Sequence, residues 1–196
     1  MLYIGIVLIA TIGTLLHFVY EWSHHNKLVA IFAAVNESTW EHIKIAMTPT
    51  ILWSLYEGYV FGTEPNYLIA KALCLLSIII IIPILFYSYT AFTKKAILFI
   101  DVICFYITII SSQLIFRYFI NLDELPFIYT YLSAILLFIE LGMYFLLTYL
   151  PQKNFIFEDP ITHKYSLEGH PHNHSHKHGH HDHDEHEHLD HEHEDE

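Results

Sequence analysis

Positive charge is scarce in this chain: nine Lys and Arg stand against 21 Asp and Glu in 196 residues, a formal net charge of −12. A chain this negative cannot neutralise phosphate, which excludes nucleic acid as a partner. Cysteine is scarcer still. Cys74 and Cys104 are the two present, each inside an apolar run, so there is no disulfide framework of the kind that staples small exported domains. No basic segment precedes the first apolar run and no small-residue cleavage site follows it, so that run reads as a true helix rather than a cleaved signal peptide. The connections are too short to hold a soluble domain. What the chain does have is apolar length: 54% of it is hydrophobic, concentrated in residues 1–150.

A bilayer core about 30 Å thick needs roughly 20 mainly apolar residues per helix. Five stretches qualify, at about 2–22, 43–61, 67–89, 96–119 and 127–150. The expected fold is therefore all-α, an integral membrane bundle of five transmembrane helices over residues 1–150. A juxtamembrane segment, 151–167, and a disordered tail rich in His, Asp and Glu, 168–196, follow. The second stretch is interrupted by Lys44, Pro49 and Glu57, and without it four spans remain. An outside N-terminus puts Lys27, Lys44, Lys94, Lys95, Lys153, Lys164 and Lys177 inside, and leaves Lys71 and Arg117 at outer helix ends where they can snorkel. That asymmetry predicts an N-out, C-in protein of the cell inner membrane with its tail in the cytoplasm.

Small and polar residues recur at helical spacing and mark faces turned toward other helices. They are Ala10, Gly13, Thr14, His17 and Glu21 in the first stretch, and Thr50, Ser54 and Glu57 in the second. The fourth offers Asp101, Cys104, Thr108 and Ser112; the fifth, Ser133, Glu140, Tyr144 and Thr148. The third is apolar nearly throughout, which predicts a peripheral position with a kink at Pro83. Leu28 to Val35 is apolar but too short to span, and is expected to lie at the interface or re-enter the bilayer.

The densest polar region joins His17 and Glu21 to the run Asn36-Glu-Ser-Thr-Trp-Glu-His42, with Asp101 within reach from the same side. If the run is helical, Glu37 and Glu41 share a face as His17 and Glu21 do. Imidazoles and carboxylates converging at one end of a bundle can hold a divalent cation or pass protons. The structural alternative is a capping box, Ser38-Thr-Trp-Glu41, with Trp22 and Trp40 as interfacial anchors. Glu57 has Lys71 and Arg117 as partners for a structural ion pair. Glu140 has no basic residue at its depth, so it is protonated, hydrogen-bonded to Tyr or Ser, or facing a polar cavity. Taken together these groups form a ladder at different depths, as a cation path requires.

The tail packs twelve histidines into 24 residues: His170, His172, His174, His176, His178, His180, His181, His183, His186, His188, His191 and His193. Neutral imidazole is the commonest ligand of zinc, nickel and cobalt, and the interleaved acids add oxygen donors. At three or four ligands per ion the tail could hold about three or four ions. It lacks the fixed spacing of a structural zinc site, and a solvated tail with incidental affinity is the simpler alternative.

The chain resembles an uncharacterised prokaryotic family of small integral membrane proteins known only as a domain of unknown function. The resemblance rests on His17-Phe-Val-Tyr-Glu-Trp-Ser23, Phe32-Ala-Ala-Val-Asn-Glu-Ser-Thr-Trp-Glu-His-Ile-Lys44 and Asp159-Pro-Ile-Thr-His-Lys-Tyr165, and covers about residues 12–165. His163 stands where that family's turn is expected to carry glycine. The resemblance implies no activity or cofactor. The leading expectation is thus divalent-metal handling by the bundle and tail, with the bilayer and metal ions as partners. A membrane-embedded enzyme with its site at His17, Glu21, Asn36, Glu37, Glu41 and His42, or a non-catalytic scaffold, are the alternatives. Whether the chain forms a homo-oligomer stays open.

Overall fold

Runs of Leu, Ile, Phe and Ala without a break longer than a turn fold as five long helices in a computed structural model that describes residues 1–150 and 152–165. They are α1 (Leu2–Trp22), α2 (Thr39–Phe61), α3 (Tyr67–Thr93), α4 (Leu98–Ile120) and α5 (Phe127–Tyr149), with a 3₁₀ turn at Val29–Ile31. No strand occurs among the described residues; a single bridge joins Glu158 and Tyr165. The histidine stretch 170–193 lies outside the described residues.

Local chemistry sets the boundaries. At the end of α1 the Ser23 hydroxyl donates to the Tyr20 carbonyl at 2.8 Å, and His24 and His25 then turn left-handed, with φ 53° and 61°, which a helix cannot continue through. α2 starts where Ser38 is extended and its Oγ accepts from the Glu41 N–H. At the opposite end of the bundle Asn66 ties two turns together. Its Nδ2 donates to the carbonyls of Leu122 and Asp123 at 2.9 and 3.1 Å, and its Oδ1 accepts from Leu125 N at 3.1 Å.

α1 and α2, α2 and α3, and α3 and α4 run antiparallel. Gly5 lies by Trp53 and Gly13 by Ile45, Thr39 meets Tyr87, and Cys74 meets Gln113 while Tyr89 meets Asp101. Residues 23–38, 94–97 and 152–165 therefore gather at one end. α1 packs tightly at Gly13, where an added Cβ would stand 2.6 Å from Phe105 and 2.8 Å from the Ile45 carbonyl. That carbonyl is the one Pro49 leaves without its helical donor.

Four helices, α1, α3, α4 and α5, are long and apolar enough to cross a membrane. α2 is not among them, because Glu41, Lys44, Pro49 and Glu57 interrupt it; from Thr39 to Thr50 nearly all its residues are buried. Of the expected inward stripes, Ala10, Gly13, Thr50, Glu57, Asp101, Thr108, Ser112, Ser133, Glu140 and Tyr144 are buried, Thr14, His17, Ser54, Cys104 and Thr148 are half-buried, and Glu21 is exposed. α3 departs from expectation. Half of its most apolar window is buried, against 17% for α5, and it packs against α2, α4 and α5 rather than at the periphery. A helix apolar all round suits a central position as well as a lipid-facing one.

Leu28 to Val35 does not span, since its regular structure is one 3₁₀ turn, Val29–Ile31. Ala33 and Val35 pack under Tyr20, and Ala34 N donates to the Leu16 carbonyl at 3.2 Å. Trp40 is not an interfacial anchor either. It is buried, its ring 5.2 Å from that of Phe157, while Trp22 is 64% exposed. Residues 154–157 close over the start of α2: Trp40 N donates to the Ile156 carbonyl at 2.9 Å, and Tyr87 Oη to that of Phe155 at 3.1 Å.

Candidate functional site

Three ligand-type side chains meet where α1 ends and α2 begins. His17 comes from α1, five residues before its end; Glu37 immediately precedes the Ser38 cap; His42 lies in the first turn of α2. His17 Nε2 is 3.2 Å from one Glu37 oxygen and His42 Nε2 is 3.9 Å from the other. One ligand atom from each of the three lies within 4.8 Å of the other two. Donors bound to one ion at about 2.1 Å in tetrahedral geometry sit about 3.4 Å apart, so the cluster needs to contract by about an ångström to close on one.

Surrounding groups fix these orientations. His42 Nδ1 lies 3.0 Å from the Ser38 carbonyl, which aims Nε2 at Glu37, the arrangement in which a backbone oxygen sets the tautomer of a ligating imidazole. Glu37 N donates to Asp159 Oδ2 at 3.1 Å. The other oxygen of Asp159 accepts from Ile161 N at 2.7 Å and Thr162 N at 2.9 Å, so this buried carboxylate closes its own turn and grips Glu37 together. Burial works to raise the Glu37 carboxyl, but the hydrogen bond to His17 and the charges of His17 and His42 outweigh it. The group is held below its ordinary value.

The remaining expected residues separate into those near this cluster and those with other work. Glu21 is exposed and lines a cleft shared with His17 and Glu37. Asn36 is buried and its Oδ1 accepts from Ser38 N at 2.9 Å, shaping the turn that presents Glu37. Asp101 lies across a second cleft from His17 and His42, with one oxygen 2.5 Å from the Tyr89 hydroxyl. Glu41 does not join the site. It pairs with Lys44 at 2.6 Å and accepts from Val35 N at 3.0 Å, both groups buried, because Glu37 precedes the helix and the two acids do not share a face. For the same reason the capping box is half made: Ser38 caps Glu41, while Ser38 N is served by Asn36 instead of by Glu41.

Glu57 and Glu140 stand apart from the cluster. Glu57 forms a buried ion pair with Lys71, whose ammonium also lies 4.4 Å from the Phe116 ring centroid; Lys71 therefore does not snorkel. Glu140 is buried with neither oxygen hydrogen-bonded among the described residues, which removes the Tyr or Ser partner as its account. Asp159 is the functional neighbour missing from the expected set. Its signal was its place in the third resemblance motif, far along the chain from the residues it holds.

Two clefts meet at His17. One, of about 270 Å³, is lined by Glu21, Asn36, Glu37, Asp159 and Thr162 among others. The second, of about 170 Å³, lies between α1 and α4, with His42 and Asp101 as polar groups and Phe18, Leu98 and Val102 in its walls. At the rim of the 154–165 segment His163 has φ 54°, the left-handed conformation that glycine takes most readily, and its Nδ1 is 2.8 Å from Glu158.

The profile of a family of unknown function (DUF6512) matches residues 1–167, and the chain belongs to that family. The match takes in His17, Glu37, His42 and Asp159 and ends before the histidine-rich stretch. No curated protein and no solved structure matches the chain.

Proposed function

We propose that this is a multi-pass membrane protein that binds one divalent transition-metal ion, such as zinc, nickel or cobalt, at His17, Glu37 and His42. The observation that carries the reading is the approach of three ligand atoms to within 4.8 Å. Two imidazoles and one carboxylate suit borderline-soft divalent ions, and three protein ligands leave a position open for a further ligand. The tail, with His170 to His193, is then a separate and looser collector of the same ions, and its tenancy is interchangeable. In this reading α2 crosses with the other four helices, the N-terminus lies outside the inner membrane, and the tail reaches the cytoplasm. A homo-oligomer is compatible with it.

The test is a titration of the purified full-length protein and of a form lacking 168–196 with zinc, nickel and cobalt. The expected result is one tight ion that survives deletion of the tail and is lost in His17→Ala and His42→Ala. Absence of that ion from the tail-less form defeats the reading. The α1–α4 cleft supports a second reading, a membrane-embedded enzyme that uses the same centre, since an open ligand position beside a cleft is the arrangement of catalytic metal sites. Turnover by the metal-loaded protein separates it from a binding protein, and a scaffold would show neither.

A further inference from the structure

Resting on that metal-site reading, we propose that the open position of the site receives a membrane lipid. Its alkyl chain lies in the α1–α4 cleft, and its headgroup presents an uncharged oxygen, a hydroxyl or an ester carbonyl, to the centre at His17 and His42.

The cleft and the centre share side chains. His17 and His42 line the cleft as well as the cluster, so whatever fills the cleft ends against the ligand atoms. Beside Thr14, its walls are carbon: Phe18, Ile45, Leu98, Val102 and Phe105. Phe18, Leu98 and Val102 are also 48%, 66% and 44% exposed, and they lie on α1 and α4, both of membrane-crossing length. A cleft walled by exposed apolar residues on two such helices faces the chains of the bilayer, not water. The occupant supplied from that side is an acyl or prenyl chain.

Charge selects the headgroup. Neither cleft that meets at His17 is lined by Lys or Arg, whereas Glu21, Glu37, Asp101 and Asp159 all line one or the other. Glu37 and Asp101 together balance a divalent ion, so an anionic headgroup would bring uncompensated negative charge into a site with low-dielectric walls. An uncharged oxygen brings none. The Tyr89 hydroxyl holds one Asp101 oxygen, which keeps that carboxylate at the cleft as an acceptor for a hydroxyl headgroup.

The experiment uses full-length protein loaded with cobalt(II), whose visible bands change when a ligand joins the metal, and three probes. N,N-Dimethyldecanamide carries a chain and an uncharged carbonyl oxygen that has no proton to lose, N,N-dimethylacetamide the head alone, and decanoic acid the chain with an anionic head. The expected result is a saturable band shift with N,N-dimethyldecanamide at a concentration at least tenfold below that needed for N,N-dimethylacetamide, and no displacement by decanoic acid. Val102→Trp, which narrows the cleft, should keep the cobalt bands and abolish the tenfold preference; Leu98→Trp serves if that variant does not fold. Equal affinity for the two amides, a chain preference that persists in both variants, or displacement by decanoic acid overturns the lipid proposal while the metal site stands. Absence of cobalt bands overturns the metal site and the proposal with it.

Discussion

Glu37 has little freedom: its backbone N–H is held by Asp159, its carboxylate by His17, and the turn before it by Asn36. Groups one step removed from a metal commonly change affinity by about 10–100-fold when lost. Asp159→Ala should therefore weaken zinc binding by that order while leaving the number of ions bound unchanged, as read by competition with a chelating dye. Asp159→Asn keeps a carbonyl oxygen but cannot accept on both sides as the carboxylate does, so its affinity should fall between the two. Unchanged affinity in Asp159→Ala would show that the 154–165 segment does not support the site. His17, Glu37 and His42 were legible in the sequence as a polar cluster, because ionisable groups in or beside an apolar run need a use. The exclusion of Glu41 was not. Whether two acids four apart share a face depends on where the helix starts, and Ser38 starts it one residue after Glu37.

Between elements, the site depends on how closely α1 can approach α2 and α4. His17 lies four residues along α1 from Gly13, where an added Cβ would meet both the Phe105 ring and the Ile45 carbonyl, and a carbonyl in a helix cannot move aside as a side chain can. Overpacking of this kind costs about 1–3 kcal/mol. Gly13→Val should lower the thermal midpoint and also weaken metal binding, by moving His17 away from His42. Gly5 meets only the Trp53 side chain, so Gly5→Ala should cost less and leave metal affinity as it was. Melting curves with and without zinc would separate the two effects, and equal loss of affinity in both variants would contradict this account. The inward faces were legible because small and polar residues recur every three or four positions. The depth of α3 was not, since apolar residues on every side fit a helix among protein neighbours and one among lipids equally well.

Across the whole molecule, the ionisable groups expected as a ladder do not all line the clefts that meet at His17. Glu57 is paired with Lys71 near the opposite end, and the two clefts that meet at His17 reach neither it nor Glu140. Sequence position conveys depth but not lateral placement, so residues on different seams of the bundle look like one path until the helices are packed. On the proposed reading a cation enters from the polar cleft to His17, Glu37 and His42, while the second cleft lies between α1 and α4. The expected outcome is binding without transport. Vesicles that contain the protein and enclose a zinc-sensitive dye should show no flux above protein-free vesicles, with or without a proton gradient. Glu140→Gln should leave zinc affinity unchanged, because Glu140 lines neither cleft at the site. Zinc flux that depends on Glu140 would establish a path through the bundle and would make the His17 cluster its entrance rather than its destination.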